Sequence, residues 1–310
     1  MPGRRIRIAI AVGVVVVAVV AGGLQLRRLA TAREVAAAVS PVAVAVDTPS
    51  SRHPRSNPPR PQPPVASDRI TDGLRQAASL AAAHQLRAGI AVLDTRTGRY
   101  YRAGAADEPF ATGSVVKVMI AAYLLSTGQL TGSAADLAYS MITRSDDDAA
   151  NVLWGKARGP SLEPWIAAHY GIEGLGAPNS RQNVWGNTHV TARGLVQLYA
   201  KLEADPMVWP WLGAAMHHVT RVAKDGTDQS FGLSAAAPGA AVKQGWASGS
   251  ADNDADAVVN TTGLVVGDRY AVAILTEGLG NNDSSDAQGF NAGQASVVTA
   301  MARQIIPALG

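Results

Sequence analysis

The sequence predicts an α/β domain of the α+β type over residues 68–310, with an antiparallel sheet built from both ends of the domain. Three observations predict it. "GIAVLDT" and "RYYRAGA", beginning at Gly89 and Arg99, flank the turn "RTG" and read as a hairpin. Near the other end, "AVVNTTGLVVG" and "RYAVAILTEG" look like a second pair of strands. Helical patterns dominate between them, from Ser114 to about Val222. The sheet is therefore expected to be flanked by a terminal helix and a helical region.

Residues 1–34 precede this domain as a signal peptide or an N-terminal membrane anchor. Arg4, Arg5 and Arg7 open the segment, "IAIAVGVVVVAVVAGGL" follows, and Arg27 and Arg28 close it. "LATA" at 29–32 has the small-x-small pattern of a cleavage site, but the two arginines stand before it. A retained anchor with a cytoplasmic N-terminus and an exported domain fits the basic flank. A buried core helix does not suit a valine-rich run that is amphipathic in no register. Residues 35–67 are proline-rich and aperiodic, which makes an extended linker. "ITDGLRQAASLAAAH" (70–84) then has helical spacing, and "GQASVVTAMARQIIPAL" closes the chain as a helix.

Composition narrows the function. Hydrophobic residues make up 47% and charged residues 16%, an apolar lean to which the N-terminus contributes. Much of the net charge of +3 comes from arginines of the leader and linker, so nothing in the main domain supports a nucleic-acid partner. The absence of cysteine excludes disulfides, thiolate metal sites, a cysteine nucleophile and a lipidated N-terminal cysteine.

"ATGSVVKVMIAAYLL" (111–125) sets a lysine in an apolar run of a chain that otherwise prefers arginine. Ser114 and Lys117 stand at i and i+3 of the expected helix, so hydroxyl and amine share a face. A buried amine with a lowered pKa can take a serine proton, whereas a guanidinium cannot. The bland alternative is a helix-starting serine with a lysine snorkelling to the surface.

Two more segments decide between them. "SDDDAANVLW", beginning at Ser145, and "KQGW", beginning at Lys243, stand in order after Ser114-Val115-Val116-Lys117. Together the three resemble the S-x-x-K, S-D-N and K-T-G motifs of class A β-lactamases and penicillin-binding proteins. The resemblance spans essentially all of 70–308 and is closest to a divergent, exported serine hydrolase branch. It implies the β-lactamase/transpeptidase-like fold, with Ser114 as acylated nucleophile and Lys117 as base or proton relay. By the same resemblance, Ser145 would pass a proton to the leaving amine and Lys243 would hold a substrate carboxylate. The amides of Ser114 and Trp246 would form the oxyanion hole, and Gly245 would let a substrate backbone approach. Trp185 and Phe231 are candidate pocket walls. The implied ligand is a β-lactam or a peptidoglycan stem peptide, bound without cofactor or metal by a monomer that reaches the membrane through its N-terminal segment.

Departures from the pattern bear on turnover. Ser145 lies 31 residues after Ser114, about half the class A interval, which implies a shortened helical region. Asp147 replaces an asparagine, so it accepts hydrogen bonds where the family donates, and it can keep Lys117 protonated. Gln244 replaces a threonine or serine hydroxyl. "GAPNSRQNVWGNTHVTARG" has no acidic residue where class A enzymes place the glutamate that activates the deacylating water. Glu163 and Glu173, upstream, read as surface residues. The expectation is a slow-deacylating acyl-enzyme; the alternatives are a non-catalytic binder of wall peptides, or a true β-lactamase with another deacylating residue. "DNDADAV" (252–258) lacks the glycine and glutamate of a calcium loop, and His217 and His218 lack partners at metal-ligand spacing.

Overall fold

The computed structural model describes residues 66–175, 185–247, 257–278 and 289–310, with side chains from Asp68 onward. The leader (1–34), nearly all of the linker and the acidic stretch 252–256 lie outside the described residues. Among the described residues, no helix is long and apolar enough to cross a membrane.

The N-terminal hairpin forms as the alternation predicts. Helix α1 (Ala66–Ala83) leads into β1 (Leu86–Asp94) and β2 (Tyr100–Gly104). Asp94 Oδ1 accepts the amides of Arg96 and Thr97 at 3.0 and 3.3 Å, which closes the turn. A two-residue strand, β3 (Phe110–Ala111), then precedes the helical region.

That region holds α2 (Val116–Ser126), α3 (Ser133–Thr143), α4 (Asp147–Lys156) and α5 (Leu162–Tyr170). It continues with the short strand β4 (His189–Val190), then α6 (Ala192–Glu203), α7 (Trp209–His217) and α8 (Leu233–Ala236). The chain ends with β5 (Ala241–Ala247), β6 (Val258–Val265), β7 (Tyr270–Gly278) and α9 (Ala292–Ile305). One five-stranded antiparallel sheet runs in the order β2-β1-β7-β6-β5, so the first hairpin joins the last three strands through the β1–β7 pair. The sheet is thus built from both ends of the domain, as expected.

Side-chain alternation sorts two cores onto the two faces of this sheet. Ile90, Val92, Val259, Val272 and Ile274 pack with α1 and α9 residues such as Leu74, Val298 and Met301. The opposite face carries Ala91, Ala271, Ala273 and Leu275 beneath the helical region, where Leu195, Leu198 and Tyr199 of α6 meet them. Small sheet residues on that face let α6 lie close to β1 and β7. Helix α2 is buried on all sides from Val116 to Leu124, which explains why its pattern shows no polar face.

Candidate active site

Ser114 does not stand on the α-helix that its spacing predicts. It occupies a 3-10 turn, Gly113–Val115, just before α2. The turn is fastened from three sides. Thr112 donates its amide to Thr188 O at 2.9 Å, β3 pairs with β4, and Asn260 of β6 donates its amide to Ala111 O at 2.8 Å and Thr112 O at 3.2 Å. Asn260, absent from the sequence reading, is fully buried and also accepts Thr276 N at 3.0 Å.

Strand β5 presses against this turn through two glycines. A Cβ on Gly245 would meet Ser114 N and a Val115 methyl, each at 3.1 Å, as well as the Thr112 carbonyl. One on Gly113, whose φ is +50°, would meet Trp246 N at 2.8 Å. The side of Gly245 that a Cβ would occupy is therefore closed by the Ser114 turn, and only glycine lets the strand and the turn approach this closely.

Ser145 is the hub of the polar cluster. It adopts φ +54°, a left-handed conformation uncommon for serine, between α3 and α4. Asp146 holds the following helix by accepting Ala149 N at 3.1 Å and the Ser140 hydroxyl at 2.8 Å. The fully buried Lys117 donates to Ser145 O at 2.8 Å, Ser145 Oγ at 3.3 Å and Asp147 Oδ1 at 2.5 Å. Its ammonium also lies 4.6 Å from the Trp185 ring centroid. Lys243, equally buried, donates to Ser145 Oγ at 2.9 Å and Gln244 O at 2.8 Å.

Burial pushes both lysines below the ordinary ammonium range, and each responds to carboxylates. Asp147 opposes the fall of Lys117. Lys243 falls well below the ordinary value, first by burial and then by repulsion from Lys117, against attraction from Asp147 and Asp225. Three N–H donors on Lys117 meet three acceptors, so its ammonium form is saturated. Ser114 is buried, at 5% exposure, and its hydroxyl makes no hydrogen bond among the described residues.

Other expected site residues separate from this cluster. Gln244 is fully buried on the opposite side of β5, where its amide donates to Phe231 O at 2.7 Å and Gln229 O at 3.3 Å and its oxygen accepts Thr261 Oγ1 at 2.9 Å. With every polar atom used, it ties the sheet to the segment before α8. Trp246 turns its ring the same way, 6.4 Å from Phe231 and 6.0 Å from Phe290 between centroids, so Phe231 packs in the core. Trp185 stays at the cluster, its indole donating to Asn151 Oδ1 at 2.8 Å.

Glu163 corrects the surface reading. It is only 5% exposed and neither carboxyl oxygen has a hydrogen-bond partner among the described residues; burial raises its pKa to about 7. Glu173 is exposed, as read. No hydrogen bond links Glu163 to Ser114, Lys117 or Ser145. The sequence reading also missed a hairpin around the Val222–Asp228 bridge, which lies along Thr143 and Arg144.

Comparison with known proteins places this architecture. No family model matches the chain. Two curated proteins named "Putative lipoprotein LppW", from Mycobacterium bovis (strain ATCC BAA-935 / AF2122/97) and Mycobacterium tuberculosis (strain ATCC 25618 / H37Rv), are 32% identical over 203 residues. The match covers 60% of this chain and 64% of each relative, so it spans less than two thirds of their length. Among solved structures, a β-lactamase from Chitinophaga pinensis DSM 2588 superposes with a TM-score of 0.58 at 16% identity, covering 77% of this chain and 99% of that one. The β-lactamase of Streptomyces albus G gives 0.56 at 19% identity, over 77% and 100%. An ancestral class A β-lactamase gives 0.57 at 21% identity, over 76% and 99%. The chain therefore has the class A β-lactamase-like fold.

Proposed function

We propose that this protein is a serine hydrolase of the β-lactamase-like type, acylated on Ser114 by β-lactams or D-alanyl wall peptides and slow to release the acyl group. The observation that carries this reading is the meeting of two fully buried lysines on one hydroxyl, Ser145 Oγ, at 3.3 and 2.9 Å. Burying two ammonium groups together is costly, and such perturbed pairs concentrate at reactive sites.

In the proposed step, neutral Lys117 removes the Ser114 proton while Oγ bonds to the acyl carbon. The carbon–nitrogen bond breaks, and the proton returns through Ser145 to the leaving nitrogen. The Ser114 and Trp246 amides are the proposed oxyanion donors. The stretch "GAPNSRQNVWGNTHVTARG" holds no acidic residue in the place where class A enzymes carry the glutamate that activates the deacylating water, which supports a long-lived adduct. The leader and the relatives named as lipoproteins support an envelope location; with no cysteine, the N-terminal segment would be the anchor or export signal.

Mass spectrometry with a fluorescent β-lactam tests the covalent step. A single stoichiometric adduct, lost in Ser114→Ala, is expected. No adduct on the wild type, or one that survives the substitution, would sink the mechanism.

One observation favours a second reading, a non-catalytic binder of wall peptides: Asp147 holds Lys117 at 2.5 Å and completes its donor set. Peptide binding that Ser114→Ala leaves intact, without hydrolysis, would support it. Multiple turnovers dependent on both Ser114 and Lys117 would exclude it.

A further inference from the structure

With no hydrogen bond to its hydroxyl among the described residues, Ser114 is placed by the backbone of the turn that carries it. That turn, Gly113–Val115, is closed by Val115 N donating to Thr112 O at 3.2 Å. Asn260 donates to the same oxygen at 3.2 Å and to Ala111 O at 2.8 Å, while its own oxygen accepts Thr276 N at 3.0 Å. Two carbonyls and one amide fix which way the Asn260 side chain points and use both of its N–H groups. An ionised aspartate of the same shape would have nothing to donate.

The register explains why this hold comes from β6. Asn260 is the cross-strand partner of Gly245, so the two share a face of the sheet. β5 can carry no side chain there, since a Cβ on Gly245 would strike Thr112 O. The turn therefore lies on the bare backbone of β5, and the next strand in the sheet supplies the side chain that ties it down. The same contact spaces the proposed oxyanion amides of Ser114 and Trp246, because a Cβ on Gly113 would lie only 2.8 Å from Trp246 N. Asn260 is fully buried and makes no hydrogen bond to Ser114, Lys117, Ser145 or Lys243 among the described residues, so it acts through the turn.

We propose that Asn260 is a positioning residue for acylation: from β6 it holds the Ser114 turn against β5, so that the nucleophile and the two oxyanion amides keep one geometry. The inference rests on the acyl-enzyme reading of Ser114. Loss of the two Asn260 donors frees Ala111 O and Thr112 O and lets the turn move off the strand. Bond formation then slows, while the first docking of a β-lactam and the titration of Lys117 stay as they were.

The test is the saturation kinetics of Ser114 labelling on the full chain with a fluorescent penicillin, which separates reversible docking from the acylation rate. Asn260→Asp keeps the shape and the acceptor for Thr276 N but removes both donors. Its acylation rate is expected to fall about thirty-fold or more, with docking within about three-fold of the wild type. Asn260→Ala, which adds no charge, should lose as much and keep the wild-type pH profile of the rate. Gln294→Ala is the control for a merely structural effect: Gln294 is buried and donates to Thr276 Oγ1 at 3.0 Å without bonding to the turn. It should unfold at lower denaturant and acylate within about three-fold of the wild type. Wild-type acylation rates in the Asn260 variants, an equal loss in Gln294→Ala, or a shifted pH profile in Asn260→Ala overturns the positioning role and leaves the acyl-enzyme reading standing. If the wild type itself is not labelled on Ser114, that reading fails and this inference falls with it.

Discussion

Lys117 and Asp147 form an ion pair with unequal surroundings: the lysine side chain is fully buried and the aspartate side chain is 60% exposed. Water at the carboxylate weakens the pair, while burial acts on the amine without relief. Asp147 thus opposes a deprotonation that the site otherwise favours. Replacing it with asparagine removes the negative charge but keeps a group of similar shape. The Asp147→Asn variant is expected to carry more neutral Lys117 and to label Ser114 about ten-fold faster, which corresponds to about 1.4 kcal/mol. The pH at which labelling reaches half its maximum should also move down, because the loss of a carboxylate lowers the lysine pKa further. Adduct formation followed by mass spectrometry from pH 6 to 10 checks both; an unchanged or slower rate would show that Asp147 does not restrain the base. That Lys117, Ser145 and Lys243 belong together was legible because three short motifs carry them, and the structure joins them through Ser145 Oγ. The hairpin around Val222 and Asp228 was not, since only folding lays it along Thr143 and Arg144, next to Ser145.

Strand β5 and the Ser114 turn depend on each other at the scale of elements. Two backbones touch where two glycines face, and the strand end that carries Lys243 is fixed by that contact. Gly245→Ala would drive a methyl group against Ser114 N and against Thr112 O, which Asn260 holds, and these backbone atoms cannot yield cheaply. Overpacking of this kind costs about 1–3 kcal/mol. The variant is expected to unfold at lower denaturant and to lose at least ten-fold in Ser114 labelling; full stability with full labelling would remove the close contact from the argument. Most elements here could be read in advance. The two strand pairs showed in alternation, α9 in its spacing, and the break in α-helix before α2 did not, because a 3-10 turn and an α-helix share their sequence signals over three residues. The two-residue strands β3 and β4 are too short to leave a pattern. Gln244 and Gly245 were assigned to a ligand by resemblance, and only the sheet's register shows which side of β5 each faces.

At the scale of the whole molecule, titratable groups shifted by folding among the described residues contribute to how stability follows pH. On the acid side, the Arg269 guanidinium holds Asp94 below the ordinary carboxylate value of 3.8, so its contribution is present above that value and is lost as pH falls through the folded one. On the alkaline side two groups act together. Burial pulls His217 down, but the Gly239 carbonyl and the Asp268 carboxylate, at 2.8 and 3.1 Å from its two ring nitrogens, raise it overall. Both partners accept, so the imidazolium is the form that satisfies them. Its contribution is present below about 6.5 and fades as pH climbs through the raised folded value. Glu163 has the same sign for a different reason. Folding raises its pKa from 4.5 to about 7, so the protonated form belongs to the native state and stability is lost as pH rises through that interval. Glu163→Gln keeps the shape and cannot ionise. It is expected to raise the unfolding temperature by about 3 °C or more at pH 8, as about 1 kcal/mol would in a domain of this size, and by under about 1 °C at pH 5. Calorimetry of both proteins at the two pH values provides the comparison. An equal shift at both would mean that packing, and not the buried charge, separates them, and a loss at pH 8 would mean that the ionised carboxylate has a partner that the fold conceals.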